Sequence, residues 1–287
     1  MVPAPTTRKA LRIPRPLPGS AVLWTAAGWL ALLAVAALAA DLLPLAPYDR
    51  AVGPPNRPPT LPSREFLGTD GIGRSILSRT VHGARISLLV GVIATATAAV
   101  VGGLAGLLAA YYRGWVAWLV GVLTDTFLAF PPLLLLLALA AMVRPSAWTL
   151  APAIGLVLMP AFARLTRANA LAQLNAEYVL ASRAMGARAG RVLFREILPN
   201  CLMAVLSYAV VTLAMVIVIE GALSFLGVGV PPPAPSWGAL IAAGKDDLYT
   251  HPHLVLVPCA VMVLTIYCLN VLGDRLRRRF DPGEDGL

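Results

Sequence analysis

Two carboxylates stand out in this sequence because their surroundings are almost entirely apolar. Asp125 lies inside a long run of aliphatic and aromatic residues, and Glu220 ends another such run. An ionised carboxylate within a bilayer costs roughly 2.5–3.5 kcal/mol, so each must face a polar partner, a backbone donor or water. Asp125 is therefore a candidate for lining a polar pathway or for a helix-packing hydrogen bond. Glu220, at a helix end, either borders the same pathway or is solvated at the membrane surface.

Residues that could hold a metal or act as nucleophiles are sparse. His251 and His253 form a His-x-His pair in a predicted loop, but two ligands are too few for a zinc site. The cysteines lie in apolar runs without ligand spacing and are expected to be small buried hydrophobic residues: Cys201, Cys259 and Cys268. We therefore predict no metal site and no disulfide framework.

Motifs for nucleotide binding and hydrolysis are also missing from the sequence. It contains no GxxxxGKS/T phosphate-binding loop, no HExxH motif and no GxSxG motif. Such a chain is expected to bind no ATP by the usual loop, to hold no cofactor of its own and to catalyse no covalent reaction. Energy for any transport would have to come from a partner or from an ion gradient.

The composition shows which environment must hold these residues. Of 287 residues, 58% are hydrophobic and 13% are charged, whereas about 25% of residues are charged in soluble domains. The net charge of +9 indicates membrane orientation rather than nucleic-acid binding, because the charges lie between long apolar runs. A spanning helix needs about 20 apolar residues, and six segments meet this requirement: 21–41, 86–112, 115–143, 145–163, 197–219 and 250–273.

The distribution of Lys and Arg predicts that both termini are cytosolic. More of these residues lie in the tails, 1–20 and 275–287, and in the segment 164–199 than on the other side, as the positive-inside rule requires. The external loop, 42–85, carries several arginines against the rule. An amphipathic helix over Gly73–Gly83, lying at the outer interface, accounts for some of them. The first apolar run is longer than a signal core of about 7–15 residues, which favours an uncleaved anchor over a cleaved signal peptide.

Glycines and prolines predict how the spans pack and bend. Gly102 and Gly106 form a small-xxx-small pair that permits close contact between helices. Pro131 and Pro132 should kink the third span. The proline-rich stretch Ala46–Ser63 is expected to be an irregular external loop.

The segment 176–199, between the fourth and fifth spans, is the most informative part of the sequence. Asn175 is predicted to cap a short helix over Tyr178–Met185, and Gly186 to end it with a positive φ. A second helix, Arg191–Leu198, leads back to the membrane. The small and apolar residues of the first helix are expected in a cytosolic loop only if a protein or lipid surface covers them. Either this helix enters a groove on another protein, or it lies on anionic headgroups with arginines facing the lipid.

Within this segment, the sequence EYVLASRAMGARAGRVLFREILP, at 177–199, resembles the coupling loop of type I ABC importer permeases. That loop has Glu-Ala-Ala, three residues, Gly, and then about ten residues to a Leu-Pro pair. The present sequence matches it at four positions: Ala181, Gly186, Leu198 and Pro199. It departs from the pattern at Leu180, in place of Glu, and at Ser182, in place of the second Ala.

Three further segments resemble the dipeptide/oligopeptide/nickel permeases, and their C-type subunit in particular. They are FLGTDGIGRSILSRTVHGARISL, DTFLAFPPLLL and EGALSFLGVGVPPPAPSWG, at 66–88, 125–135 and 220–238. With LGDRLRRRFDP near the C-terminus, the likeness covers roughly residues 64–282. On these motifs the chain is identified as a member of that family.

The resemblance implies an all-α integral membrane protein: a type I ABC importer permease bundle of six transmembrane helices, with one N-terminal helix and a five-helix core at 86–274. It implies import of di- or oligopeptides or a similar small solute across the bacterial plasma (inner) membrane. The implied partners are a homologous permease subunit, two ATP-binding subunits or domains holding ATP and Mg, an extracytoplasmic solute-binding protein and the lipid bilayer, but no nucleic acid. The residues implied to couple to the ATPase are Glu177, Tyr178, Ala181, Ser182, Arg183, Ala184, Met185, Gly186, Leu198 and Pro199.

Two other classes of protein are open from the residues alone. An ion-coupled secondary transporter often shows broken helices and several charges near the bilayer midplane. An integral-membrane enzyme would need a cluster of catalytic polar residues at one interface. Co-purification of an ATPase would discriminate an ABC importer from both.

Overall fold

The computed structural model describes residues 20–60, 65–142 and 144–280, and the regular elements within them are all helical. The α-helices are α1 Ser20–Leu38, α2 Ile76–Thr97, α3 Gly103–Tyr111, α4 Trp115–Ala129, α5 Pro132–Met142, α6 Ala147–Leu174, α7 Glu177–Ala184, α8 Ala189–Arg191, α9 Leu198–Phe225, α10 Trp237–Gly244 and α11 His253–Phe280. A π-helical segment, Ala98–Gly102, joins α2 to α3, and another, Val192–Ile197, joins α8 to α9. The predicted all-α class is confirmed. Most of the two predicted cytosolic tails, 1–20 and 275–287, lies outside the described residues or at their edge.

Five helical segments among the described residues are long and apolar enough to cross a membrane: Ala21–Leu38, Ile76–Tyr111, Ala147–Leu174, Ala189–Phe225 and His253–Arg278. The third predicted span, 115–143, is divided into α4 and α5, which meet at 92°. Pro131 and Pro132 lie at this break, where proline removes backbone donors and clashes with the preceding turn. The predicted kink is therefore a full break, and six spans are reached only if the bent pair is one span.

The second span is longer than predicted. The prediction of a separate amphipathic helix over Gly73–Gly83 is wrong. The side chain of Ser75 caps α2 by accepting a hydrogen bond from the Ser78 amide, and helical structure continues from Ile76 to Tyr111. Arg79, which was expected at the interface, is only 6% exposed. The charge of Arg79 has two partners within the protein. Nη1 donates to the carbonyl of Tyr48 at 3.1 Å, and Nε lies 3.6 Å from the carboxylate of Asp70.

The fourth span also extends beyond its predicted end at residue 163. Helix α6 continues to Leu174, so the connecting segment begins at Asn175 rather than at Arg164. The apolar run stops at Arg164, but arginine, leucine, alanine and glutamine all favour helix over the next turns. On the far side of the segment, helical structure from Ala189 to Phe225 is continuous. The predicted Arg191–Leu198 helix is therefore the first part of the fifth span.

Small residues bring α2, α3 and α6 into close contact, as predicted for Gly102 and Gly106. A Cβ at Gly102 would lie 2.4 Å from the carbonyl oxygen of Met159, and one at Gly106 would lie 2.2 Å from that of Ala163. The two helix backbones therefore lie so close at these positions that no residue with a β-carbon would fit. Around this contact a buried cluster joins α2, α6 and α9 through Val90, Ala94, Ile154, Phe162 and Val216.

The N-terminal helix and the external loop complete the bundle. Helix α1 packs on α11, where the indole of Trp29 donates to the hydroxyl of Thr265 at 3.2 Å. The described part of Ala46–Ser63 is irregular, which confirms the predicted loop. The three cysteines are free; Cys201 and Cys268 are buried as predicted, whereas Cys259 is only half-buried.

Candidate functional site

Helix α7 is the short helix expected between the fourth and fifth spans, and its C-terminal end follows the prediction closely. Gly186 has a φ of +81°. Its amide donates to the carbonyl of Arg183, and the amide of Ala187 donates to that of Ser182. This pair of bonds is the Schellman motif, which favours glycine because a β-carbon is penalised at positive φ.

The N-terminal end of α7 differs from the prediction. The residue at the cap position is Ala176, which offers no side-chain hydrogen bond, whereas Asn175 ends α6. Asn175 is therefore not the cap. The first turn instead carries Glu177, whose negative charge is favourable beside the free amides of a helix N-terminus.

The side of α7 that faces away from the bundle is apolar. Tyr178 is 42% exposed, Leu180 51% and Met185 81%. We call these residues, with the exposed alanines between them, the α7 outer face: Tyr178, Leu180, Ala181, Ala184 and Met185. Glu177, which is also exposed, lies on the same side of the helix as Ala181 and Ala184. Exposed arginines are close to this face in sequence: Arg183, Arg188, Arg191 and Arg195. A compact apolar ridge with small residues at its centre is suited to packing into a groove.

The opposite side of α7 is buried. Val179 is inaccessible and packs in a cluster with Leu107 at the end of the second span and Ile197 at the start of the fifth. Ser182 is 6% exposed, and its hydroxyl donates to Oε1 of Glu196. Ser182 therefore faces the bundle and holds α7 to it, and its predicted role in coupling cannot be direct contact with a partner through the exposed side of the helix.

A second polar connection lies one turn earlier in α7. The hydroxyl of Tyr178 donates to Oε1 of Gln173 at 2.7 Å and accepts from Nδ2 of Asn200 at 3.1 Å. Partial burial raises the pKa of Tyr178, so this hydroxyl is protonated at neutral pH. The guanidinium of Arg183 lies 5.0 Å from the ring centroid of Tyr111, within the range of a cation–π contact. Sequence reasoning missed Gln173, Glu196 and Asn200, because no local pattern shows which residues of distant helices meet.

Leu198 and Pro199, the last two predicted coupling residues, lie at the start of α9. Leu198 packs against the buried cluster beneath α7, and Pro199 is exposed. Because helical structure is continuous from Ala189, Pro199 lies inside the span, and the π-helical segment Val192–Ile197 just before it is the kind of local adjustment that accommodates proline in a membrane helix. These two residues position the entry of the fifth span rather than extend the α7 outer face.

Asp125 is found on α4, where its carboxylate is paired with an arginine. Oδ1 accepts from Nη2 of Arg164 on α6 at 2.7 Å. The side chains of Asp125 and Arg164 are 70% and 61% exposed on the chain surface. The pair links two helices, as the packing alternative required, but it is accessible, as the pathway alternative required.

Glu220 is neither solvated nor on the surface of the chain, so both predicted placements are wrong. It is 1% exposed and accepts three hydrogen bonds, from Ser87 at 3.2 Å, Ser224 at 2.9 Å and Ser236 at 2.7 Å. Ser87 also accepts from the amide of Trp237, and Ser236 also accepts from the amide of Ala239. Their hydroxyl hydrogens are therefore directed to the carboxyl group of Glu220, whose buried oxygen atoms are satisfied by these hydrogen bonds.

The two loop histidines do not form part of a larger cluster. The ring centroids of His251 and His253 are 6.2 Å apart. Among residues 20–60, 65–142 and 144–280, no group of three or more His, Cys, Asp or Glu side chains is arranged to hold a metal ion. His253 packs instead against Gly68, where a β-carbon would lie 3.1 Å from its ring.

Comparison with known proteins agrees with this architecture. The family described as "Binding-protein-dependent transport system inner membrane component" matches residues 100–285. A glutathione transport system permease protein of Pectobacterium atrosepticum is 37% identical over 235 residues, covering 82% of this chain and 76% of that protein. A di/tripeptide transport system permease protein of Pseudomonas aeruginosa is 38% identical over 245 residues, covering 83% of this chain and 81% of that protein.

Among solved structures, the chain resembles a subunit of the MetNI methionine ABC transporter in an inward-facing conformation. The TM-score is 0.59 at 20% sequence identity, and the match covers 71% of this chain and 97% of that one. This likeness supports the helical fold, and the family match spans most of the chain. The protein therefore belongs to the family of binding-protein-dependent transport system inner membrane components, as a multi-pass permease subunit of an ABC transporter and not as its ATPase.

Proposed function

We propose that this chain forms half of the translocation pathway of an ATP-driven importer for small peptides, with glutathione as the alternative solute. Relatives at 37–38% identity carry both names, one for glutathione and one for di- and tripeptides. Both kinds of solute are small and polar, and both carry an ammonium and at least one carboxylate group. The chain would pair with a homologous permease subunit and receive solute from an extracytoplasmic binding protein. ATP and Mg would be held by two partner ATPase subunits.

The observation that carries this proposal is the α7 outer face. Two large apolar side chains of this eight-residue helix, Tyr178 and Leu180, are exposed, and so is Met185 directly after it. They lie on the side that the arginine distribution predicts to be cytosolic. Burial of apolar surface against a partner offsets the cost of leaving it in water. An ATPase subunit is the partner that an importer needs at this side.

The Asp125–Arg164 ion pair is the second element of the proposal. An exposed charge pair on membrane helices is costly if it faces lipid, so it should face water or protein. We assign it to the wall of the translocation pathway, where its two opposite charges suit a solute that carries both an ammonium and a carboxylate group. In this arrangement Glu220 has no direct contact with solute, because it is enclosed by three serines.

Docking at α7 is tested by two substitutions that leave the membrane helices unchanged. Ala184→Arg places a charge on the outer face, and Gly186→Val strains the positive φ at its end by roughly 1–2 kcal/mol. Both should reduce co-purification of the ATPase and solute-stimulated hydrolysis in reconstituted vesicles. Ala51→Arg is the matched control, since Ala51 is exposed in the predicted external loop.

The lipid-surface alternative makes the opposite prediction for Ala184→Arg, because another arginine beside anionic headgroups is harmless. Wild-type ATPase association and uptake in both variants would disprove docking at α7. Solute class is tested separately by competition: unlabelled dipeptide, tripeptide and glutathione are compared for their ability to block uptake by the complete importer.

A further inference from the structure

We infer that Gln173, Glu196 and Asn200 are positioning residues that tie α7 to the fourth and fifth spans, so that a movement of α7 is passed directly to both. This inference rests on the proposed docking of an ATPase at α7. It adds the path by which motion would leave the docking helix. None of the three residues lies on the α7 outer face.

The hydroxyl of Tyr178 connects three helices at a single atom. It donates to Gln173, in the last turn of α6, at 2.7 Å, and it accepts from Asn200, in the first turn of α9, at 3.1 Å. The Nδ2 atom of Asn200 also donates to the carbonyl of Glu196 at 2.6 Å. The amide is therefore held in place by its own helix while it holds Tyr178.

The second tie is formed by Ser182 and Glu196, four residues further along α7. Ser182 donates to Oε1 of Glu196, whose side chain is 16% exposed. The guanidinium of Arg191 lies 4.0 Å from the same oxygen atom. Glu196 belongs to the π-helical segment Val192–Ile197, a departure from regular α-helix that often occurs at functional positions.

Two ties one turn apart constrain α7 more than either tie alone. Tyr178 and Ser182 are separated by about 5.4–6 Å along the helix axis, so together they resist both tilting and rotation about that axis. Val179 lies between them and packs into the buried cluster, but apolar contacts are non-directional and permit sliding. Hydrogen bonds have preferred distances and angles, and they make the helix and the two span ends move together.

The test uses the complete importer in vesicles and measures ATPase co-purification, ATP hydrolysis and solute uptake for each variant. Asn200→Leu and Gln173→Leu remove the two partners of Tyr178 at nearly constant volume. Each should lower solute uptake per ATP hydrolysed by about three- to tenfold, as expected for the loss of one or two hydrogen bonds between coupled states, while the ATPase still co-purifies. Glu196→Leu should act similarly, and Glu196→Gln should retain coupling because its amide oxygen still accepts from Ser182.

A double-mutant cycle identifies the bond that is responsible. If Asn200 acts through the Tyr178 hydroxyl, Tyr178→Phe combined with Asn200→Leu should be no worse than Tyr178→Phe alone, because that single substitution already removes the bond to Asn200. Additive losses would overturn this path. Unchanged uptake per ATP in all three leucine variants, or loss of the ATPase from them, would overturn the inference as a whole. These outcomes differ from a failure of the proposed docking, which is indicated by wild-type ATPase association in Ala184→Arg.

Discussion

Replacing Ser236 by alanine should destabilise the protein more than the loss of an ordinary helix cap. Ser236 is inaccessible to solvent and makes two hydrogen bonds with the same hydroxyl group. It accepts from the amide of Ala239 at 3.2 Å, which caps α10, and donates to Glu220 at 2.7 Å. Loss of a serine cap costs about 0.5–2 kcal/mol. Leaving a buried acceptor without its partner costs about 1–3 kcal/mol, so Ser236→Ala should cost about 1.5–5 kcal/mol in total.

Ser146→Ala is the matched control because Ser146 caps α6 by the same geometry. Its side chain accepts from the amide of Thr149 at 3.1 Å and lies 2.9 Å from the Thr149 hydroxyl, and neither partner is a carboxyl group. Its substitution should therefore cost only the capping contribution, about 0.5–2 kcal/mol. Because Ser146→Ala also removes the contact with the Thr149 hydroxyl, the difference between the two variants is a lower bound for the contribution of the bond to Glu220.

The assay is thermal unfolding of the purified permease in detergent, followed by the fraction that stays monodisperse at each temperature. A change of 1 kcal/mol shifts the midpoint by roughly 2–4 °C in proteins of 150–250 residues. Ser236→Ala should therefore melt several degrees below Ser146→Ala. Equal midpoints for the two variants would refute the conclusion that the buried carboxyl group holds α10 to the spans.

Three other predictions follow from the same structure. Asp125→Asn should leave the midpoint nearly unchanged, since exposed ion pairs contribute about 0–1 kcal/mol, but it should lower uptake by the assembled importer; normal uptake would remove Asp125 from the pathway. Gly106→Val should prevent accumulation of folded protein in membranes, because its β-carbon would lie 2.2 Å from a carbonyl oxygen of α6, whereas Gly121→Ala, with open space around it, should accumulate normally. A cytosol-active reporter fused after Asp285 and a periplasm-active one fused after Asn56 should both be active; a silent cytosolic reporter at the C-terminus would contradict the predicted orientation.

The sequence was a good guide wherever the physical cause is local. Long apolar runs identify membrane helices because burial in lipid requires them at every turn. Gly186 was also predicted correctly as the end of α7, because the positive φ at this position favours glycine over other residues. Gly102 and Gly106 were also found, because small residues repeated at this spacing allow two backbones to meet.

The ends of the helices were less well predicted, because a charged residue was expected to end each membrane span. Arg79 and Arg164 both lie inside continuous helices. A helix continues past a charge when that charge finds a partner elsewhere, and the partners are Asp70 and the Tyr48 carbonyl in one case and Asp125 in the other. No local rule identifies such partners before the fold is known.

By itself, therefore, the sequence determined that this is a helical membrane protein, roughly where its spans lie, and which short helix connects the fourth and fifth of them. Tertiary structure decided the position of each polar group. Glu220 meets Ser87, which is 133 residues away, and Asp125 meets Arg164, which is 39 residues away. Ser182 faces the bundle rather than a partner. The physical reason is that a helix forms from the residues within a few turns, whereas the partner of a side chain depends on how whole helices rotate and pack against each other.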